Sequence, residues 1–375
     1  MRMERNVHSA LLVAMESHEY ISVGQSKTID LYNDSVSDVK LSKWLWGGFL
    51  LLKAEANWRH IRYARISLCG NDISQDEPIA LYLSDNERYL SLSGATLLKG
   101  TCYLPKLGIR RAYIEGMSFS GAQLVEGVQK QSKPELPLLN NIVLSAIANC
   151  LHGNSLPDDS LVNIAQLMNR DSVVNSFYQK TLVFYSDRWI TLAGKFLKGN
   201  IKVISKRGIS VEKTATLNDI LLFAPKIEIG SNLNGNVQIF ATDTIRIGDD
   251  VTFLFPSIIA LLDNDCKKPL IQLGKNCRIL GDIILQSTSS KQKAECLVGE
   301  NTEIDGKVYC TGTVELKGKL YGSLYCNGFT LRTASSMYEN NLLNATIDFP
   351  ALSKYYAGSL LYSDSPHLKQ VKWEY

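Results

Sequence analysis

The chain has 375 residues, of which 45% are hydrophobic and 21% charged, a composition typical of an ordered protein. Its 40 basic and 37 acidic residues leave a formal net charge of +3, which excludes the strong basic excess expected of a nucleic-acid-binding protein. No stretch approaches the ~18 consecutive apolar residues that a membrane-spanning helix needs, and the first residues lack the pattern of a signal peptide.

The first predicted element is an amphipathic helix within residues 1–20. Val7, Leu11, Ala14 and His18 recur at helical spacing and share one face of that helix. A lone amphipathic helix before a β-rich sequence needs a partner. It either packs as a cap on the first β layer or continues from an upstream membrane anchor. The anchor would place the protein in the bacterial cell envelope, and a chain complete as given would be cytoplasmic.

Residues 21–121 are predicted to be a β region that ends in a first coil, because β-branched and aromatic residues alternate between turn residues. Residues 122–187 change character and show helical spacing, so we expect a helical insertion there. Its second helix, predicted for 158–169, would begin at Asp158 or Asp159 as the N-cap.

A short string recurs within residues 188–350, in which a hydrophobic residue and a glycine are followed, after one more residue, by Asn or Asp. Its glycines lie 18, 26 and 25 residues apart, which is the length of one solenoid coil. We expect the hydrophobic residue before each glycine to join one inward stack. These residues are Ile229, Ile247, Leu273 and Val298. The sequence thus predicts a mainly β fold, a β-solenoid of the right-handed β-helix kind with an N-terminal amphipathic helix and a helical insertion.

Within each coil, inward hydrophobic pairs alternate with polar residues. The predicted inward pairs are Ile201/Val203, Ile227/Ile229, Val237/Ile239, Ile245/Ile247, Ile271/Leu273 and Val308/Cys310. The residues predicted to make the outer face polar are Lys202, Glu228, Gln238, Arg246 and Gln272. Residues 351–375 are richer in tyrosine and less periodic, which favours a cap over the last coil.

The eight cysteines show no C-x-x-C pair and no histidine at the spacing of a zinc site. Cys102, Cys310 and Cys326 occupy strand positions that valine or isoleucine takes in other coils, which predicts buried thiols. The sequence does not decide whether any of the eight cysteines form disulfides. The sequence predicts neither a metal site nor a cofactor.

The strings LGKNCRILGDI (273–283) and VGENTEIDGKV (298–308) make residues 190–350 resemble a bactofilin-like, polymer-forming β-helix. That resemblance implies a structural protein that associates with itself or with other proteins.

A larger part of the chain is similar to an uncharacterised family of minor-pilin-like, membrane-anchored bacterial envelope proteins. The similarity includes ERNVHSAL (4–11), GTCYLPKLGIRRAYIEG (100–116) and LNDILLFAPKIEI (217–229). The resemblance implies a hydrophobic helix that continues into an amphipathic one, followed by a β-rich exterior domain. The hydrophobic helix is missing from this sequence, so a membrane partner is implied only through such a helix.

Enzymatic alternatives find little support. IGDDVT (247–252), LGKNCR (273–278) and VGENTE (298–303) fit the hexapeptide form of acyltransferases, but they are isolated, and no histidine lies between His152 and His367 to act as the general base. Dinucleotide, P-loop and zinc-protease motifs are absent from the sequence. We therefore predict no catalytic residue.

The leading hypothesis is a non-enzymatic structural or interaction scaffold, a subunit of an envelope-associated or pilus-like assembly. The alternative is a glycan-binding or glycan-cleaving β-helix, in which carboxylates on one solenoid face do acid–base chemistry. The candidate residues of that alternative site are Asp249, Asp250, Asp263, Asp265 and Asp282.

Overall fold

A computed structural model describes residues 2–16, 21–32, 38–74, 76–153, 159–263, 266–288, 294–362 and 367–374. The described helices are α1 (Arg2–Glu16), α2 (Asn141–Leu151) and α3 (Ile164–Met168). None of them is both long enough and apolar enough to cross a bilayer.

Strands dominate the rest of the described chain, so the protein is mainly β. In chain order they are β1 (Ser26–Asp30), β2 (Asp38–Trp46), β3 (Phe49–Trp58), β4 (Ile61–Asn71), β5 (Ile79–Leu83), β6 (Leu90–Ser93), β7 (Leu97–Lys99), β8 (Thr101–Leu104), β9 (Ile109–Arg111), β10 (Tyr113–Ile114), β11 (Met117–Ser118), β12 (Gln129–Gln131), β13 (Asp159–Asn163), β14 (Ser172–Asn175), β15 (Thr181–Ser186), β16 (Ile190–Leu192), β17 (Phe196–Ser205), β18 (Ile209–Val211), β19 (Thr216–Ile229), β20 (Asn234–Ile247), β21 (Thr252–Asp263), β22 (Leu270–Leu273), β23 (Arg278–Ser287), β24 (Glu295–Val298), β25 (Glu303–Leu316), β26 (Lys319–Arg332), β27 (Met337–Glu339), β28 (Asn341–Leu343), β29 (Thr346–Asp348) and β30 (Leu368–Glu374).

The first layer is an antiparallel sheet in the order β1-β2-β3-β4-β30. The strand that closes this sheet comes from the C-terminal segment, which was expected to cap the last coil. Helix α1 packs on the sheet through an apolar face, and Val7, Ala10 and Leu11 are fully buried there. Everything from β5 to β29 is therefore inserted between two neighbouring strands, β4 and β30.

The second layer is a stack of parallel strands, and from β13 to β26 each pass of the chain pairs with the previous one. Ile229 lies opposite Ile247, Ile247 opposite Leu273, and Leu273 opposite Val298, so the predicted inward stack is confirmed. The predicted inward pairs are likewise buried in the inner core. The long strands β20 and β25 turn a corner and belong to two faces. Hydrogen-bonded neighbours therefore form a closed ring through β20, β21, β23, β25, β24 and β22.

The parallel strands do not stack in the order of the sequence. The earliest strands of the stack include β5 and β7, which pair with β26 and β29, among the last strands of the stack. β8 and then β12 extend that end. The chain next passes through α2, which contacts β19 and β20, and starts the opposite end of the stack at β13.

Both ends of the parallel stack are capped. At the β13 end, Leu167 of α3 is fully buried in the inner core. At the other end, Gln129 and Gln131 of β12 take the register positions of the inward-facing Cys102 and Leu104, and both glutamines are exposed. Polar or helical terminal units are what keep repeat stacks from growing end to end.

The predicted helix over 158–169 is wrong in its first half. Residues 159–163 pair with β15 as strand β13, and the helix begins only at Ile164. The side chain of Asn163 is the N-cap and accepts a hydrogen bond from the Ala165 N–H, whereas Asp158 lies outside the described residues. Pairing with a neighbouring strand overrode a weak helical pattern here.

Candidate functional site

Two of the predicted acidic site residues, Asp249 and Asp250, lie at an exposed corner of the stack. The Lys275 N–H donates to Asp249 Oδ1 at 2.8 Å, and the Asn276 amide donates to Asp250 Oδ1 at 3.2 Å. Asp250, Asn276 and Asn301 all have positive φ, between 55° and 58°. Asn and Asp tolerate that conformation better than other side chains, which explains the Asn/Asp position of the recurring string.

Asp282 has a different environment, because it is 2% exposed and holds the segment before β30 against the stack. The Ser359 N–H donates to one of its carboxylate oxygens at 2.9 Å. The Lys307 N–H, at 3.0 Å, and the Tyr356 hydroxyl donate to the other. The side chain of Asp263 and the whole of Asp265 lie outside the described residues. A shared glycan site for these acids stays a prediction.

The contacts of Asp282 predict a structural effect. Asp282→Asn should lower the free energy of unfolding by about 2 kcal/mol, because an amide nitrogen would face an N–H or O–H donor that now meets a carboxylate oxygen. Urea unfolding measures the change. Asp249→Asn is the matched control and should change stability by less than ~0.5 kcal/mol, since Asp249 is exposed. Equal stability of both variants would contradict the anchoring role of Asp282.

The prediction of a polar, exposed outer face is wrong for two of its five residues. Glu228, Arg246 and Gln272 are exposed as expected, but Lys202 and Gln238 are each 4% exposed. The reason is that the antiparallel sheet covers this side of the stack. Gln238 Oε1 accepts from the Gly48 N–H at 2.8 Å and its amide donates to the Trp46 carbonyl, which docks the β2–β3 turn.

Lys202, the other buried outward residue, forms an ion pair with Asp159. The Lys202 ammonium lies 3.2 Å from both carboxylate oxygens, and both side chains are almost fully buried. The pair joins β17 to β13 across the intervening strand β15, and loss of either partner would leave a buried charge unpaired.

An outward ladder of tyrosines continues an apolar ladder along the same face. Tyr309 lies opposite Tyr325, Tyr325 opposite Tyr82, and Tyr82 opposite Tyr103. Neighbouring ring centroids are 5.2–6.5 Å apart, within the range of favourable aromatic pairs. The sequence analysis missed this ladder, although each tyrosine stands between two hydrophobic residues, in LYL, CYL, VYC and LYC.

A cleft of about 710 Å³ opens beside the tyrosine ladder. The four tyrosines form one wall, and the segment 133–139 and Tyr362 form others. Lys307, Asp76 and Glu77 also line it, so the cleft combines aromatic surface with both signs of charge. None of its residues was among the candidate site residues predicted from the sequence.

A second cleft, of about 1170 Å³, lies on another face and includes Asp243, Glu295 and Arg332. Its carboxylates are held in ion pairs: Asp243 with Lys226 at 3.4 Å, and Glu295 with Arg332. Arg332 also bridges to Glu315 at 2.7 Å. Burial raises the pKa of Glu315, but hydrogen bonds from Arg332 and from Lys317 outweigh that effect and leave it lowered.

The cysteines are free thiols. Cys310 and Cys326 stack in register in the inner core, as expected of hydrophobic positions. Burial raises the pKa of the Cys310 thiol to about 12, so it stays protonated and poorly nucleophilic at neutral pH. Across the part of the chain that the structure describes, no cluster of three His, Cys, Asp or Glu side chains is arranged to hold a metal ion.

No protein-family model matches this chain, and no curated protein matches it significantly. Among solved structures, it is similar to the competence-associated pilin ComZ from Thermus thermophilus. The sequence identity is 10% over 94% of this chain and 88% of that chain, with a TM-score of 0.25. At that identity and TM-score, the likeness supports no conclusion about fold or function.

Proposed function

We propose that this protein is a non-enzymatic scaffold whose parallel stack is a β-solenoid of the right-handed β-helix kind. In this proposal it is a subunit of an envelope-associated, pilus-like assembly. The observation that carries the proposal is the docking of α1 and the antiparallel sheet, as a separate layer, on one face of the stack.

The regular stacking supports a rigid body. The ladder from Val211 through Ile229, Ile247, Leu273 and Val298 ends at Leu316 and is buried throughout. Because interiors packed this closely transmit force with little deformation, such a stack holds its two ends at a fixed separation. Both ends are capped, so we place the partner contacts of the scaffold on the helix layer.

Helix α1 offers such a contact surface. While Val7 and Leu11 are buried on the sheet, Leu12 is 52% exposed and Val13 is 41% exposed. Two adjacent exposed aliphatic side chains on a helix suit packing against a helix of another subunit. The resemblance of residues 4–11 to minor-pilin-like envelope proteins supports the same placement.

Site-specific photo-crosslinking tests the proposal in the native cell. A photo-reactive amino acid in place of Leu12 should give discrete crosslinks to protein partners or to a second copy. The same amino acid in place of Gln272, which is exposed on the stack, is the control and should give none. The absence of crosslinks from position 12 in cells that contain the folded protein would contradict the proposal.

A further inference from the structure

The second cleft, of about 1170 Å³, lies on a side of the stack that the antiparallel sheet leaves uncovered. No described residue of that sheet or of α1 lines it, so it is separate from the assembly contacts proposed above. Its lining residues on the stack belong to β19, β20, β22, β24 and β26, and β25 lies between the last two. Neighbouring strands are ~4.8 Å apart, so these six strands extend over about 24 Å. A cleft of this length suits an elongated ligand.

The carboxylates in and beside this cleft are neutralised by an equal number of cations. The ion pairs are Asp243 with Lys226, Glu295 with Arg332, Glu315 with Arg332, and Glu315 with Lys317. These three acids therefore do not offset the other positive charges of the cleft.

Three further cations of the cleft have no such partner. Arg246 on β20 and the consecutive Lys267 and Lys268, just before β22, line the cleft and are exposed. None of their side chains forms an ion pair or a hydrogen bond with another described residue. Unneutralised cations that share one cleft raise the local concentration of anions. The cleft therefore favours an anionic ligand, and its three free cations are accessible to that ligand.

Hydrogen-bond acceptors lie directly beside these cations. A depression of about 400 Å³ shares Arg246 with the cleft and includes Glu228 and Asp249. Glu228 lies opposite Arg246, is exposed, and has no ion-pair or hydrogen-bond partner for its side chain among the described residues. Asp249, one of the acids predicted for a glycan site, accepts from the Lys275 N–H with one of its two oxygens. Ionised carboxylates only accept hydrogen bonds, so this part of the face favours ligand hydroxyl groups.

An exposed tryptophan extends the same face beyond β19. Trp189 directly precedes β16 and is 42% exposed. Its ring lies against Gly208, where a Cβ would collide with it, and its indole N–H donates to Ser210 Oγ at 3.1 Å. Ser210 lies opposite Glu228, so the ring is held over β18, the strand next to that carboxylate. A fixed indole offers a flat apolar surface at a small cost in conformational entropy, which suits the apolar face of a sugar ring.

The three features together select one class of ligand. An acidic peptide or inorganic polyphosphate supplies negative charge but no sugar ring for Trp189 and no row of hydroxyl donors for Glu228. A neutral polysaccharide supplies the ring and the hydroxyls but leaves the three free cations without anions. An acidic polysaccharide supplies all three groups, and its length matches that of the face.

We propose that this face binds an acidic polysaccharide that runs across the strands from Trp189 into the cleft. Its acid groups pair with the three free cations, its hydroxyls donate to Glu228 and Asp249, and one sugar ring stacks on Trp189. This binding goes beyond the scaffold role proposed above and does not depend on it.

Calorimetric titration of the whole chain tests the proposal with two acidic probes, a galacturonic-acid hexamer and a sulfated heparin hexasaccharide. Neutral cellohexaose and a glutamate hexapeptide are the comparison probes. At least one acidic sugar should bind at least about tenfold more tightly than either comparison probe, because only the acidic sugars supply both the charge and the hydroxyls. The two acidic probes distinguish a carboxylate from a sulfate as the group that the cations bind.

The variant Arg246→Gln should weaken binding of the acidic sugar by about tenfold, the effect typical of losing one charged hydrogen bond at an exposed site. Trp189→Ala should weaken it about three- to tenfold through loss of the stacked ring. Arg278→Gln is the matched control and should bind like the wild type. Arg278 is likewise an exposed arginine on an outward strand position, but it lines neither the cleft nor the depression.

Arg246→Gln also keeps the test independent of folding. Because Arg246 is exposed and its side chain has no described partner, the variant should melt at the temperature of the wild type. The proposal fails if neither acidic sugar binds at millimolar concentration. It also fails if cellohexaose or the glutamate hexapeptide binds as tightly as the better acidic sugar, or if a folded Arg246→Gln variant binds that sugar like the wild type.

Discussion

Ile247→Asp is expected to lower the free energy of unfolding by about 4 kcal/mol or more, the largest loss among the substitutions considered for this protein. Ile247 is buried in the inner core between Ile229 and Leu273 of the neighbouring strands. A carboxylate there would be surrounded by aliphatic side chains, with no donor to pair with it. Urea unfolding measures the loss directly.

Gln272→Asp is the matched control for this experiment. Gln272 directly precedes Leu273 on the same strand, and its side chain is exposed on the outer face. The same substitution should change stability by less than ~0.5 kcal/mol. If both variants unfolded at the same urea concentration, the assignment of inward and outward residues in β22 and its neighbours would be wrong.

Gly306→Ala is expected to cost about 3 kcal/mol, because the glycine is required by a close approach of two backbones. A Cβ on Gly306 would collide with the carbonyl oxygen of Gly281 on the neighbouring strand. One on Gly322 would collide in turn with the carbonyl of Gly306, so these glycines form a ladder of their own. Relief of the collision requires neighbouring strands to separate, with loss of their hydrogen bonds.

Gly24→Ala separates this steric effect from the general cost of replacing glycine. Gly24 has a φ of +80°, and a Cβ there would meet no atom within 4 Å. The left-handed conformation alone should cost about 1 kcal/mol. Thermal or urea unfolding compares the two variants. Equal losses would show that strand spacing at Gly306 does not depend on glycine.

The sequence predicted those parts of the fold that depend on local pattern. The inward stack at Ile229, Ile247, Leu273 and Val298 follows from alternation and from glycine corners, both visible within a few residues. The burial of Val7, Leu11 and Ala14 on one helical face was predictable for the same reason, whereas His18, predicted for that face, lies outside the described residues. Each of these features depends on neighbours close in the chain.

Features that depend on distant parts of the chain were not predicted. Nothing near Gln238 shows that the β2–β3 turn covers it, and nothing near Asp282 shows that Tyr356 and Ser359 bind it. The acids predicted for a glycan site were selected by residue type, whereas the tyrosine-lined cleft is built from tyrosines on four separated strands and from Lys307. The sequence does show four tyrosines that each stand between two hydrophobic residues. It does not show the order in which their strands stack, and that order brings the tyrosines together.

The pairing of β5 and β7 with β26 and β29 has a consequence for the order in which the chain becomes structured. A ribosome delivers residues 79–99 long before residues 319–348, so β5 and β7 emerge without the strands on which they stack. The same delay applies to β4, whose neighbour β30 follows all the other described strands in the sequence. Contacts so far apart in the chain form slowly. During translation these strand edges stay open to other polypeptides until β26, β29 and β30 have been made.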